Sequence, residues 1–81
     1  MVTFGDFVFV KGEKKQRENN TYCNVTLECV NDEDVVTMSC EPSVFDKLKK
    51  YSKYHLAISK RTFTWDGKTS VRETVVDAKP I

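Results

Sequence analysis

Asp66-Gly67, set between the alternating segments Arg61-Thr62-Phe63-Thr64-Trp65 and Lys68-Thr69-Ser70-Val71-Arg72, constrains this chain more than any other feature. Both central positions of a type I′ turn require positive φ, so an Asp-Gly pair between alternating residues predicts a β-hairpin with a two-residue loop. The register follows from the turn. Trp65 pairs with Lys68, Phe63 with Ser70 and Arg61 with Arg72, and directly opposed residues project to the same face. Opposed arginines repel each other. Their placement beside Phe63 and Trp65 fits a polyanion with stackable bases, which is single-stranded nucleic acid. The plainer alternative has the two aromatics capping the core while the arginines splay into solvent.

The 81 residues predict one domain, 1–81, and a chain of this size buries only roughly 60–65% of the surface its unfolded form exposes. Thirteen Lys and Arg stand against twelve Asp and Glu, for a net charge of +1. Nucleic-acid binding therefore requires segregated charge rather than a basic chain overall. The cations do cluster, at Lys11, Lys14, Lys15 and Arg17, at Lys47, Lys49, Lys50 and Lys53, and at Lys60, Arg61, Lys68 and Arg72; the acids gather in Asp32, Glu33 and Asp34. No apolar run approaches the roughly 20 residues of a membrane span. With no charged leader or small-residue cleavage site at the N-terminus, a soluble cytoplasmic protein without a membrane partner is expected. Cys23, Cys29 and Cys40 fall within apparent strands rather than at metal-ligand spacings, and read as reduced core thiols. No cofactor or metal is expected.

Along the chain, Val2 to Val10 reads as a first strand, with Gly5 marking a bulge or bend. Lys11 to Asn20 contains no apolar side chain and reads as an exposed loop or wing. In Tyr22 to Val30, Cys23, Val25, Leu27 and Cys29 alternate with Tyr22, Asn24, Thr26 and Glu28, the pattern of a half-buried second strand. Asn31 to Asp34 turns the chain, Val35 to Cys40 makes a third strand, and Glu41-Pro42 ends it. Ser43-Val44-Phe45-Asp46 resembles a capping box, and Val44, Phe45, Leu48 and Tyr51 at helical spacing predict a helix of about two turns. Tyr54, Leu56 and Ile58 open a fourth strand that runs into the hairpin, and Thr69 to Lys79 forms the fifth.

Three strands, a short helix and two strands is the order of an OB-fold, here expected as a mainly β, five-stranded antiparallel Greek-key barrel with one short helix between strands three and four. An SH3-like barrel or a β-grasp fold fits the same pattern. OB-folds hold oligonucleotides between the loop joining strands one and two and the loop joining strands four and five. Those places are here the Lys11–Asn20 wing and the Trp65–Lys68 hairpin tip.

Thr21-Tyr22-Cys23-Asn24-Val25, Phe63-Thr64-Trp65-Asp66-Gly67-Lys68 and the ending Asp77-Ala78-Lys79-Pro80-Ile81 together resemble the small single-stranded DNA-binding, helix-destabilising proteins of filamentous bacteriophages. The resemblance implies a dimeric OB-type barrel that coats single-stranded DNA cooperatively, with little sequence preference, during replication or transfer of a phage or mobile element. It implies Tyr22 as a stacking platform, Lys14, Lys15 and Arg17 as phosphate contacts, Trp65 as a hairpin-tip aromatic and Arg72 as a basic residue of the last strand. The chain departs from that family in its lower net charge and in the acidic Asp32-Glu33-Asp34 turn, where the family tends to place an aromatic residue.

The residues expected at the nucleic-acid site are Lys14, Lys15, Arg17, Tyr22, Arg61, Phe63, Trp65, Lys68 and Arg72. The cations neutralise phosphates and the rings stack on bases. Catalysis is not expected: the single histidine, His55, has no cysteine or acid at motif spacing, and the three glycines form no phosphate loop. Two rival readings keep the same hairpin: a protein-interaction module, since Trp and Arg also anchor interfaces, and an RNA-binding domain, since stacking does not read the 2′-hydroxyl.

Overall fold

A computed structural model describes the whole sequence, Met1–Ile81. The elements follow in the order β1 (Val2–Arg17), β2 (Asn20–Cys29), β3 (Val35–Cys40), α1 (Pro42–Phe45), β4 (Lys53–Trp65) and β5 (Lys68–Pro80). The strands close into a barrel with neighbours β1-β2-β3-β5-β4, and β4 pairs back onto β1. This is a mainly β barrel of OB type, with its one short helix between β3 and β4. The expectation of uniformly antiparallel pairing needs one correction. β3 and β5 run parallel, joined at Ser39–Thr74 and Cys40–Val75. Strand direction cannot alternate all the way around a closed ring with an odd number of strands, so one parallel pair is unavoidable.

The core lies inside this ring. Val25, Leu27, Leu56 and Val75 are fully buried, with Phe9, Met38, Val44, Tyr54 and Ile58 packed around them. On β2 the alternation is as the sequence implies, with Cys23, Val25 and Leu27 inside and Tyr22 and Asn24 outside. No polar or charged residue is buried. No helix is long and apolar enough to cross a membrane.

Two segments depart from expectation. The charged stretch after Val10 is no loop, because β1 continues to Arg17 and pairs with β2 out to Arg17–Asn20, with Glu18 turning the chain at φ 52°. A ladder needs only backbone partners, so a polar segment can be a strand where it need not cover the core. The irregularity assigned to Gly5 falls instead between Phe9 and Lys11, while Gly5 pairs regularly with Leu56. Gly5 makes room for a ring: a Cβ there would lie 2.8 Å from Cε2 of Phe7.

The helix is a single turn and does not use Ser43 as its cap. Glu41 is the N-cap, in extended conformation and with no side-chain capping bond, and Pro42 follows it. The fixed φ of proline begins the helix two residues earlier than the capping-box pattern implied. Val44 is buried and Phe45 half-buried, but Tyr51 lies beyond the helix at φ 65° and is exposed.

Candidate nucleic-acid interface

The β4–β5 hairpin has the register that the Asp-Gly turn dictates. Trp65 faces Lys68, Phe63 faces Ser70 and Arg61 faces Arg72, while Asp66 and Gly67 have φ of 53° and 74°. The inward positions of β4 are Tyr54, Leu56 and Ile58, so Arg61, Phe63 and Trp65, in step with Ser59, project from the outer face. The rings do not cap the core. Trp65 is 85% exposed and Phe63 46%.

The second ribbon, β1–β2, alternates in the same way. Lys15 stands opposite Tyr22 and Arg17 opposite Asn20 on the outer face. Lys14 stands opposite the buried Cys23, hence on the other face, where its Nζ lies 3.1 Å from Oδ1 of Asp46 beyond α1. Lys15 has only a looser ion pair with Glu13, at 3.6 Å between two exposed groups. Such a pair contributes little and yields readily to a competing anion.

The two ribbons meet across a groove. β3 pairs with β5 at only two positions, so the hairpin segment beyond Thr74 has no strand neighbour on that side. The resulting groove, about 490 Å³, is lined by Lys15, Arg17 and Tyr22 from one ribbon and by Ser39, Arg72 and Thr74 from β3 and β5. Glu41 contributes the one acidic side chain of the lining. A shallower depression of about 380 Å³ continues from it along the hairpin, lined by Phe63, Ser70, Val71 and Arg72. Arg72 belongs to both.

The fold thus gathers Lys15, Arg17, Tyr22 and Arg72 into one groove, sets Phe63 and Arg61 next to it, and holds Trp65 and Lys68 at the hairpin tip. Lys14 is directed elsewhere. Asn24 and Ser39 also line the groove, facing each other across β2 and β3. No sequence signal marks them, because small polar residues on an outer strand face are the ordinary case.

The three cysteines are free, with Cys23 and Cys40 buried and directly opposite one another on β2 and β3. Burial pushes the Cys40 thiol up to about 12, with a smaller contribution from Cys23 and Glu41. Cys23 is also raised, chiefly by burial. Cys29, expected in the core, is only half-buried because it is the last residue of β2, and its thiol is raised by that partial burial and then by Asp32 and Asp34. Such thiols stay protonated and unreactive at neutral pH. No group of three or more His, Cys, Asp and Glu side chains is placed to hold a metal ion. His55, which has no acid nearby in sequence, meets one in space: its Nδ1 lies 2.7 Å from Oδ1 of Asp6 on β1.

No protein family, curated protein or solved structure matches the chain.

Proposed function

We propose that this chain binds single-stranded nucleic acid, coating DNA in preference to RNA with little regard for sequence, and that it does so as a homodimer in the replication or transfer of a phage or mobile element. One observation carries the reading: cations and a tyrosine from two segments about fifty residues apart in sequence, Lys15, Arg17 and Tyr22 on one side and Arg72 on the other, line a single groove. A packed core does not require that convergence. An anion with stackable groups explains it, since the cations neutralise phosphates while Tyr22, Phe63 and Trp65 offer rings to bases. The DNA preference and the biological setting rest on the resemblance to the filamentous-phage proteins. The homodimer rests on that resemblance and on the protruding hairpin, where Phe63, Trp65 and Val71 leave apolar surface to be covered.

Titration with oligothymidylate tests the reading. Trp65 is the chain's one tryptophan, so its fluorescence should be quenched on binding. Trp65→Ala should weaken the complex by roughly 1–3 kcal/mol, the worth of one stacked base. Affinity should fall with salt, and the slope should flatten by about 0.7 for each of Lys15, Arg17 and Arg72 replaced by Ala. Absence of binding to single-stranded DNA or RNA at low salt would overturn the proposal. The exposed Val71 and Phe63 would then favour a protein-interaction module instead.

A further inference from the structure

Phe4 lies in the barrel-wall part of β1, far in sequence from the hairpin, yet it is 68% exposed. Its ring is parallel to the imidazole of His55 on β4, with centroids 5.7 Å apart and planes within 4°. The 2.7 Å contact from Asp6 fixes that imidazole in turn. A solitary exposed phenylalanine is ordinary. Three residues from two strands that hold an exposed phenyl ring stacked with an imidazole make a small, preset aromatic surface.

Register ties this surface to the hairpin. Along β4, His55, Ala57, Ser59, Arg61, Phe63 and Trp65 share the outer face, and the β1 pairing sets Phe4 beside Ala57 and Asp6 beside His55. The β5 pairing adds Lys79 beside His55 and Arg72 beside Arg61. Lys53, opposite Val8, is on the same face. At about 3.4 Å per residue, His55 and Phe63 are roughly 27 Å apart along the strand. The row therefore has aromatic groups at both ends.

Charge along the row favours an anion. The cations Lys53, Arg61, Arg72 and Lys79 outnumber the acids of this face, Asp6 and Asp77, of which Asp6 is held by His55 and Asp77 accepts the backbone N–H of Ala78. Lys53, Lys79 and Arg61 take part in none of the ion pairs of the protein. Because Arg72 lines the groove and also stands opposite Arg61, a strand leaving the groove can cross the hairpin onto this face.

We infer that the Phe4–His55 stack is a second base-stacking subsite, taking an unpaired nucleobase of the same strand that the β4–β5 hairpin holds. The inference rests on the nucleic-acid reading of that hairpin. The phenyl face takes the base, Asp6 and His55 hold the platform in place, and Lys53 and Lys79 receive the adjoining phosphates. Stacking on a ring face does not depend on which base is present, so the subsite lengthens the footprint without adding sequence preference.

The test is a set of titrations with labelled oligothymidylates of about 4 and about 16 nucleotides, which span the site sizes of OB-folds. Phe4→Ala should weaken the longer complex at least about fivefold and leave the shorter one, held at the hairpin, unchanged. Phe4→Tyr should restore the longer complex. Phe4 is exposed, so both variants should melt with the parent protein, and a lower affinity then cannot be ascribed to unfolding. If Phe4→Ala binds both lengths as the parent does while Trp65→Ala and Arg72→Ala weaken them, the subsite is overturned and the hairpin reading stands. If the parent protein binds neither oligomer, both are overturned.

Discussion

Arg61 on β4 and Arg72 on β5 stand directly opposite each other on the outer face of the hairpin, both exposed, and neither takes part in an ion pair. Like charges at opposed positions destabilise a ribbon, whereas an opposite pair stabilises it. The next pair, Lys60 and Glu73, does combine opposite charges. The hairpin thus tolerates repulsion at the pair beside Phe63 and the groove, where a bound phosphate would relieve it.

Replacing Arg61 with Glu should therefore separate stability from binding. Arg61→Glu opposite Arg72 should raise stability by roughly 0.2–1 kcal/mol. The same change should lower oligothymidylate affinity, most strongly at low salt. Thermal melting and fluorescence titration of the one variant measure both. A variant that is stabilised and binds as tightly as the parent would show that the opposed arginines serve no phosphate.

The hairpin was legible because its information is local: turn chemistry fixes register, and register fixes which residues share a face. The order of elements was legible for a related reason, since each apolar alternation marks one inward strand face. The ribbon from Lys11 to Arg17 was not. Nothing in a run of polar side chains distinguishes a paired strand from a loop, because what holds it is the backbone of β2. The division between Lys14 and Lys15 was hidden likewise, as it becomes visible only once Lys14 is known to stand opposite Cys23 and within reach of Asp46. The groove itself comes from the divergence of β3 and β5 after two pairs, a tertiary feature with no counterpart in any short stretch of sequence.

Gly12 gives a packing test of the ribbon. It stands opposite the buried Val25, and a Cβ built on it would lie 2.5 Å from Cε2 of Phe45 and 3.0 Å from Cζ of Phe9. Those rings pack edge to face, with centroids 6.3 Å apart and planes at 81°, so neither can retreat without disturbing the other. Gly12→Ala should destabilise the fold by roughly 1–3 kcal/mol, the usual cost of overpacking. Urea denaturation measures it. Were the segment a free loop, the same substitution would be neutral or slightly stabilising.

Cys40 makes stability fall on the alkaline side. An unfolded chain releases this thiol proton near the ordinary value of 9.0, whereas burial in the barrel holds it to about 12. Between those values the folded state binds more protons than the unfolded state, so stability falls as pH rises. Below pH 9 the thiol is protonated in both states and its contribution is constant. Within the window the slope approaches about 1.4 kcal/mol per pH unit for this one group. The Cys23 and Cys29 thiols are raised in the same direction, so the useful quantity is the difference between the parent protein and Cys40→Ala. Urea midpoints taken under reducing conditions from pH 8 to 11 should fall less steeply for the variant, even though removing the sulfur lowers its stability throughout. Parallel curves would mean that Cys40 meets enough water to ionise in the folded barrel, and that the β2–β3 wall under the groove is more open than its packing implies.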